Sequence, residues 1–252
     1  MPVKTANLTG RYVYAIIIGS ENQTYTFGGI DGCPVYTISN GRIAAVVSNI
    51  QNTKIRPERR NLAAHHGVLN MLMKQNTPLP LSFGIIAEGA RSIQRILSQN
   101  QTVLLEQIRH VSDKMEMGIR VTWDVTNIFA FFVQIHPELR IARDRLLGTH
   151  REPSQEDKIE LGRVFEKILN EDREIHTAKV EATLSRYCFE IKRNKCRDDY
   201  EVMNLACLVD RDMQDQFETG IFEAARAFDN NIAFDFNGPW APYNFVDIDL
   251  KL

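Results

Sequence analysis

Between Met115 and Trp123 apolar and polar residues alternate without a break. Met115, Met117, Ile119, Val121 and Trp123 are separated by Glu116, Gly118, Arg120 and Thr122. Side chains on a strand point to opposite faces with a period of two, so this segment predicts a strand with one dry face and one wet face. A strand of this kind needs partners. Tyr12–Ile18 (YVYAIII) supplies one, a continuous β-branched and aromatic run that reads as a buried central strand. Val35–Ser39 and Ile43–Ser48 flank Asn40-Gly41 and predict a hairpin whose two turn positions both take positive φ.

Helical spacing fills the gaps. Pro57 is expected to open a helix, with Leu62, His66, Leu69 and Met73 on its apolar face. Leu79–Ile86 predicts another strand. Ser92–Val111 predicts a helix broken near Asn100, with Ile93, Ile96 and Leu97 inward before the break and Leu104, Ile108 and Val111 after it. The first half therefore reads β-ββ-α-β-α-β, an α+β sandwich close to a ferredoxin-like arrangement, in a domain of residues 1–125.

The second domain, residues 126–252, is helix-rich. It starts with short helices at Asn127–Ile135 and Pro137–Leu147 and a polar link at Gly148–Pro153. Ser154 followed by Asp157 resembles a capping box, and it opens a charged helix to about Arg186 with Leu161, Phe165, Ile168, Leu169 and Ile175 as its stripe. Met203–Val209 predicts a buried strand. Asp210–Phe228 predicts a helix with Met213, Phe217, Ile221 and Ala225 inward. Ile232–Phe236 predicts a strand, so a β-α-β unit closes the second half ahead of an aromatic and proline-rich coil.

The chemistry-bearing residues form no recognisable catalytic or metal-binding pattern. Gly28-Gly29-Ile30-Asp31-Gly32 lacks the spacing of a phosphate loop and precedes a strand. His65 and His66 are the best metal-ligand candidates, but adjacent helical residues point about 100° apart. Neither Cys33, Cys188, Cys196 nor Cys207 belongs to a C-x-x-C pair, which reads as free cytosolic thiols. With 30 basic and 32 acidic residues the charge is nearly balanced, which argues against a dedicated nucleic-acid binder. Arg56, Arg59 and Arg60 make the one tight basic cluster, read as a solvated helix end. No apolar run has the length of a membrane span. Met1–Gly10 lacks an apolar stretch and reads as no signal peptide, which implies the cytoplasm. No enzyme activity, cofactor, metal, nucleic acid or lipid membrane is expected.

The sharpest local feature is Gly238–Phe245 (GPWAPYNF). Gly238, Pro239, Trp240, Pro242, Tyr243 and Phe245 form either a rigid coil that plugs the core or a partner-binding patch. The stiffness given by Gly238, Pro239 and Pro242 favours the plug, with Trp240 buried.

Gly238–Val246 also resembles the GPWPPYSFV signature of gas vesicle GvpF/GvpL proteins. Pro78, Leu79, Pro80, Leu81, Ser82, Phe83 and Gly84 are similar to that family's P-x-LP-x-RFG segment. Tyr12-Val13-Tyr14 is similar to its opening strand, Glu116–Val121 to its E-x-G-(V/I)-(K/R)-V strand, and Leu205–Phe217 to its buried strand and following helix. The five matches fall in order between about residues 11 and 246. Ser82 stands where many relatives carry arginine, and Ala241 replaces a proline.

The resemblance implies a minor structural and assembly protein of gas vesicles. It would bind the hydrophobic main shell protein, and other accessory proteins, limit shell-protein aggregation and assist nucleation. An alternative is a small-molecule or RNA-binding ferredoxin-like module. It is disfavoured because the wet face Glu116, Arg120, Thr122 carries no aromatic to stack a base.

Overall fold

In the computed structural model, residues 10–51, 54–148 and 153–248 are described. The expectations for Met1–Gly10 and for the link after Gly148 lie almost wholly outside them. The chain clusters into two units, residues 1–116 with 239–252, and residues 117–238.

The first unit is built on β1 (Gly10–Ile18), whose residues from Tyr12 to Ile17 are all buried because the sheet is covered on both faces there. Its partners are β2 (Thr24–Gly28), β3 (Pro34–Ser39), β4 (Ile43–Ile50) and the two short strands β5 (Leu79–Pro80) and β6 (Ile86–Ala87). The sheet order is β2-β3-β4-β1-β5, with β6 also on β1, and the pairs are antiparallel. The register skips Tyr14, since Val13 faces Val47 and Ala15 faces Val46. Tyr14 is thus an extra residue in a bulge, a device that re-aims a side chain.

The β3–β4 hairpin forms by a different turn from the one expected. Gly41 takes φ +96°, whereas Asn40 does not have positive φ. Instead, the Asn40 side-chain carbonyl accepts from the amides of Arg42 and Ile43, each at 3.2 Å. Nor is Leu79–Ile86 one strand. Gly84, at φ +94°, donates its N–H to the Tyr12 hydroxyl at 3.1 Å, and the chain loops out between β5 and β6.

Helix α1 (Arg59–Met73) begins after Pro57 and is rotated by about one residue from the expected face. Leu69 and Met73 are buried as expected, but Asn61, His65, Val68 and Leu72 join them, while Leu62 is half-buried and His66 exposed. The polar Asn61 and His65 accept burial because both find hydrogen-bond partners. Helices α2 (Ala90–Gln99) and α3 (Gln101–Val111) break at Asn100 as read, with Ile93, Leu97, Leu104, Ile108 and Val111 buried.

The second unit takes most of β7 (Lys114–Trp123), then α4 (Ile128–Ile135), α5 (Pro137–Leu147), α6 (Gln155–Leu184), β8 (Glu190–Asn194), β9 (Glu201–Asp210), α7 (Gln214–Ala225) and β10 (Ile232–Trp240). Ser154 and Asp157 form the full capping box. The heptad Leu161-Ile168-Ile175 leaves the interface, and Ile175 is 64% exposed. A straight helix drifts by about 20° per heptad, and the buried line runs through Leu169, Val180 and Leu184. On α7, Ala224 rather than Ala225 faces inward. The sheet order is β10-β7-β9-β8.

The molecule is therefore α+β with two sheets, as expected. The first unit's sheet is mostly a meander rather than a ferredoxin-like sandwich. It is the second unit that strings its elements β-α-β-β-α-β, with β7 lying between β9 and β10.

Candidate functional site

Tyr12 and Tyr14 carry hydroxyls into the middle of an otherwise apolar strand, and both are wholly buried. Such groups need partners. The Tyr14 hydroxyl donates to Ser48 Oγ at 3.1 Å and accepts the Ile30 amide at 2.9 Å. The Tyr12 hydroxyl lies 2.9 Å from His65 Nδ1, and His65 Nε2 lies 2.7 Å from the Tyr243 hydroxyl. The Phe83 ring packs edge-on against both Tyr12 and His65.

Burial decides the proton positions in this chain. A neutral imidazole has one N–H. Tyr12 already accepts from Gly84 and is fully buried, so its own proton must go to His65 Nδ1. Nε2 then carries the hydrogen and donates to the Tyr243 hydroxyl. Burial holds His65 neutral, at about 4, with His66 adding to the depression and the Leu81 carbonyl opposing it. Burial likewise pushes Tyr12 up to about 12 and raises Tyr243.

A second clamp lies beside the first. Glu116, 7% exposed, accepts the Asn244 amide at 2.8 Å and its side-chain N–H at 2.7 Å. Read from alternation as a wet-face residue, Glu116 is instead buried, because it holds the one-turn helix Tyr243–Phe245.

Four segments singled out in the sequence thus meet in one unit: the opening strand, the Pro78–Gly84 stretch, Glu116 and the Gly238–Phe245 stretch. Pro78, Pro80 and Leu81 are buried, Phe83 is half-buried and Gly84 is exposed. Gly238, Pro239 and Trp240 are not coil but the exposed end of β10. Trp240 is 40% exposed, against the expectation that it is buried. The strand accommodates Gly238 and Pro239 because β10 is an edge strand. In the part that follows, Ala241, Pro242 and Phe245 are buried and Tyr243 is half-buried. The fifth segment, Leu205–Phe217, lies in the other unit. His65, the hub, is one of the two helix histidines singled out in the sequence, but the apolar periodicity of α1 placed His66 inward instead; the signal for His65 was two hydroxyls in a buried strand.

Next to the cluster an apolar groove of about 740 Å³ opens between the sheet and α2. Ile16, Leu81, Ile85, Ile93, Ile96 and Val246 line it, Tyr243 contributes to its wall, and Glu88 and Arg95 supply charge. Among the described residues no group of three or more His, Cys, Asp or Glu is placed to hold a metal ion, and no helix is long and apolar enough to cross a membrane.

The sequence model of the gas vesicle synthesis protein GvpL/GvpF family matches residues 10–247. The chain belongs to this family. It is 26% identical to gas vesicle protein F2 of Halobacterium salinarum, over 95% of this chain and 93% of that protein. It is 27% identical to gas vesicle protein F of a Streptomyces species, over 94% and 99%. The crystal structure of gas vesicle protein GvpF from Anabaena sp. PCC7120 superimposes with a TM-score of 0.80 at 24% identity, over 96% of this chain and 99% of that one. GvpF from Microcystis aeruginosa gives the same score at 22% identity. These structures share the fold of this GvpL/GvpF-family protein, and family membership assigns it a gas vesicle-related role and association with other gas vesicle components.

Proposed function

We propose that this chain is a non-catalytic assembly protein of gas vesicles that binds the hydrophobic main shell protein, limits its aggregation and assists nucleation of the shell. The observation that supports this reading most is the groove. Its walls are aliphatic, it is bordered by the Pro80–Ser82 and Tyr243–Val246 segments, and the clamps at His65 and Glu116 hold Tyr243 and Asn244 rigidly beside it. A preformed apolar surface suits capture of an apolar partner, since little ordering entropy is lost on binding. The Tyr–His–Tyr chain fits a positioning role better than a reactive one. His65 is neutral and both its nitrogens are engaged by phenols. With the net charge at −2, electrostatic capture has little scope.

The test is a pull-down of the main shell protein by this chain at low and at high salt. Similar recovery at both is expected. Recovery that collapses on adding salt overturns the apolar reading, because exposed charge pairs are screened within about 10 Å at 0.1 M salt.

A further inference from the structure

Two of the four cysteines stand together in the second unit. Cys207 sits in the middle of β9, fully buried, opposite Ile191 of β8. Cys188 lies in the turn between α6 and β8 and is partly accessible. The chain enters β8 with the Phe189 amide bonded to the Leu208 carbonyl at 2.7 Å, which holds that turn against β9. The Cys188 thiol donates to the Leu184 carbonyl at 3.2 Å, and the Cys207 thiol hydrogen-bonds to Cys188. Neither is part of a disulfide.

We propose that Cys188 and Cys207 form a reversible dithiol–disulfide site whose oxidant is a low-molecular-weight disulfide. The Cys188 thiolate attacks one sulfur of the oxidant, breaks its S–S bond and releases one small thiol. Cys207 then loses its proton and attacks the Cys188 sulfur of the mixed disulfide, expelling the second small thiol. Two protein thiols are oxidised and one small disulfide is reduced to two thiols, so electrons and atoms balance.

The two roles follow from place. Attack requires access, and Cys188 is partly accessible where Cys207 is fully buried; the bond from Cys207 also draws the Cys188 thiol below its usual range. Cys207 has no access, so it reacts only with a sulfur already beside it. Cys196 makes the contrast. Its thiol donates to the Val202 carbonyl at 3.7 Å, and burial pushes it up, away from reactivity.

The full chain carrying Cys33→Ser and Cys196→Ser isolates the pair. The folded protein is incubated with oxidised glutathione, alkylated, and read by intact mass and peptide mapping. The expected result is loss of both alkylatable thiols, no retained glutathione, a linked Cys188–Cys207 peptide pair, and reversal by dithiothreitol. Adding Cys207→Ala should instead trap glutathione on Cys188. Three results would overturn the proposal: a stable adduct on Cys188 with Cys207 still free, two thiols that stay reduced, or closure only in denaturant.

Discussion

His65 is buried as a neutral imidazole at about 4, while an unfolded chain would titrate it near its ordinary value of about 6.5. Between those values the unfolded state binds a proton the folded state refuses. Its contribution is therefore fully present above about pH 6.5 and is lost as pH falls towards about 4. At about 1.4 kcal/mol per unit the loss amounts to about 3 kcal/mol. Urea midpoints taken across this range should fall more steeply for the native chain than for His65→Gln, and parallel slopes would contradict the assignment. Five residues apart in one motif, two aromatic side chains have opposite fates. Phe245 is 2% exposed and Trp240 is 40% exposed. Phe245→Ala is expected to cost about 3–5 kcal/mol. Trp240→Ala should cost less than about 1 kcal/mol. Denaturation midpoints of the two variants decide it, and a Trp240→Ala chain as destabilised as Phe245→Ala would restore the plug at Trp240.

Elements in the first unit depend on one close approach. The one-turn helix after β2 brings Gly29 against the bulged part of β1. A Cβ there would overlap the Tyr14 hydroxyl oxygen and lie 2.8 Å from Ser48 Oγ. Gly29→Ala should therefore lose about 2 kcal/mol through forced displacement of buried groups. Tyr14→Phe removes the overlapping oxygen, so the double variant should be more stable than the sum of the single effects predicts. Thermal unfolding of the four chains reads this coupling; strict additivity would show that the bulge and the turn do not meet as described. In the second unit, β8 is held differently. Arg193 reaches Glu174 and Glu181 of α6, at 2.8 and 2.6 Å. A strand fixed by ion pairs on one side and by β9 on the other has no apolar run of its own to announce it, so the EIKRN segment gave no strand signal.

At the scale of the molecule, the proposed activity belongs to the groove rather than to any single reactive group. Ile85 is 39% exposed and Ile96 half-buried, so both reach the groove without being core residues. Changing both to aspartate should lower recovery of shell protein about tenfold, equivalent to about 1.4 kcal/mol. The urea midpoint should move by less than about 1 kcal/mol. Unchanged recovery with an intact fold would place the contact elsewhere on the chain.

What the sequence determined by itself is local. The alternation of Met115–Trp123, the run Tyr12–Ile18, the break at Asn100 and the Ser154–Asp157 box all act through neighbours within a few residues, and each appears where it was read. Tertiary structure alone decided the rest. His65 meets Tyr243 across 178 residues, and Glu116 meets Asn244 across 128. No periodicity encodes such pairings. They decide that His65 rather than His66 is inside, that a strand's polar-face glutamate is buried, and that Tyr243–Phe245 packs with the opening strand. The physical reason is the same in each case: a polar group is buried only where a distant segment supplies its hydrogen bond.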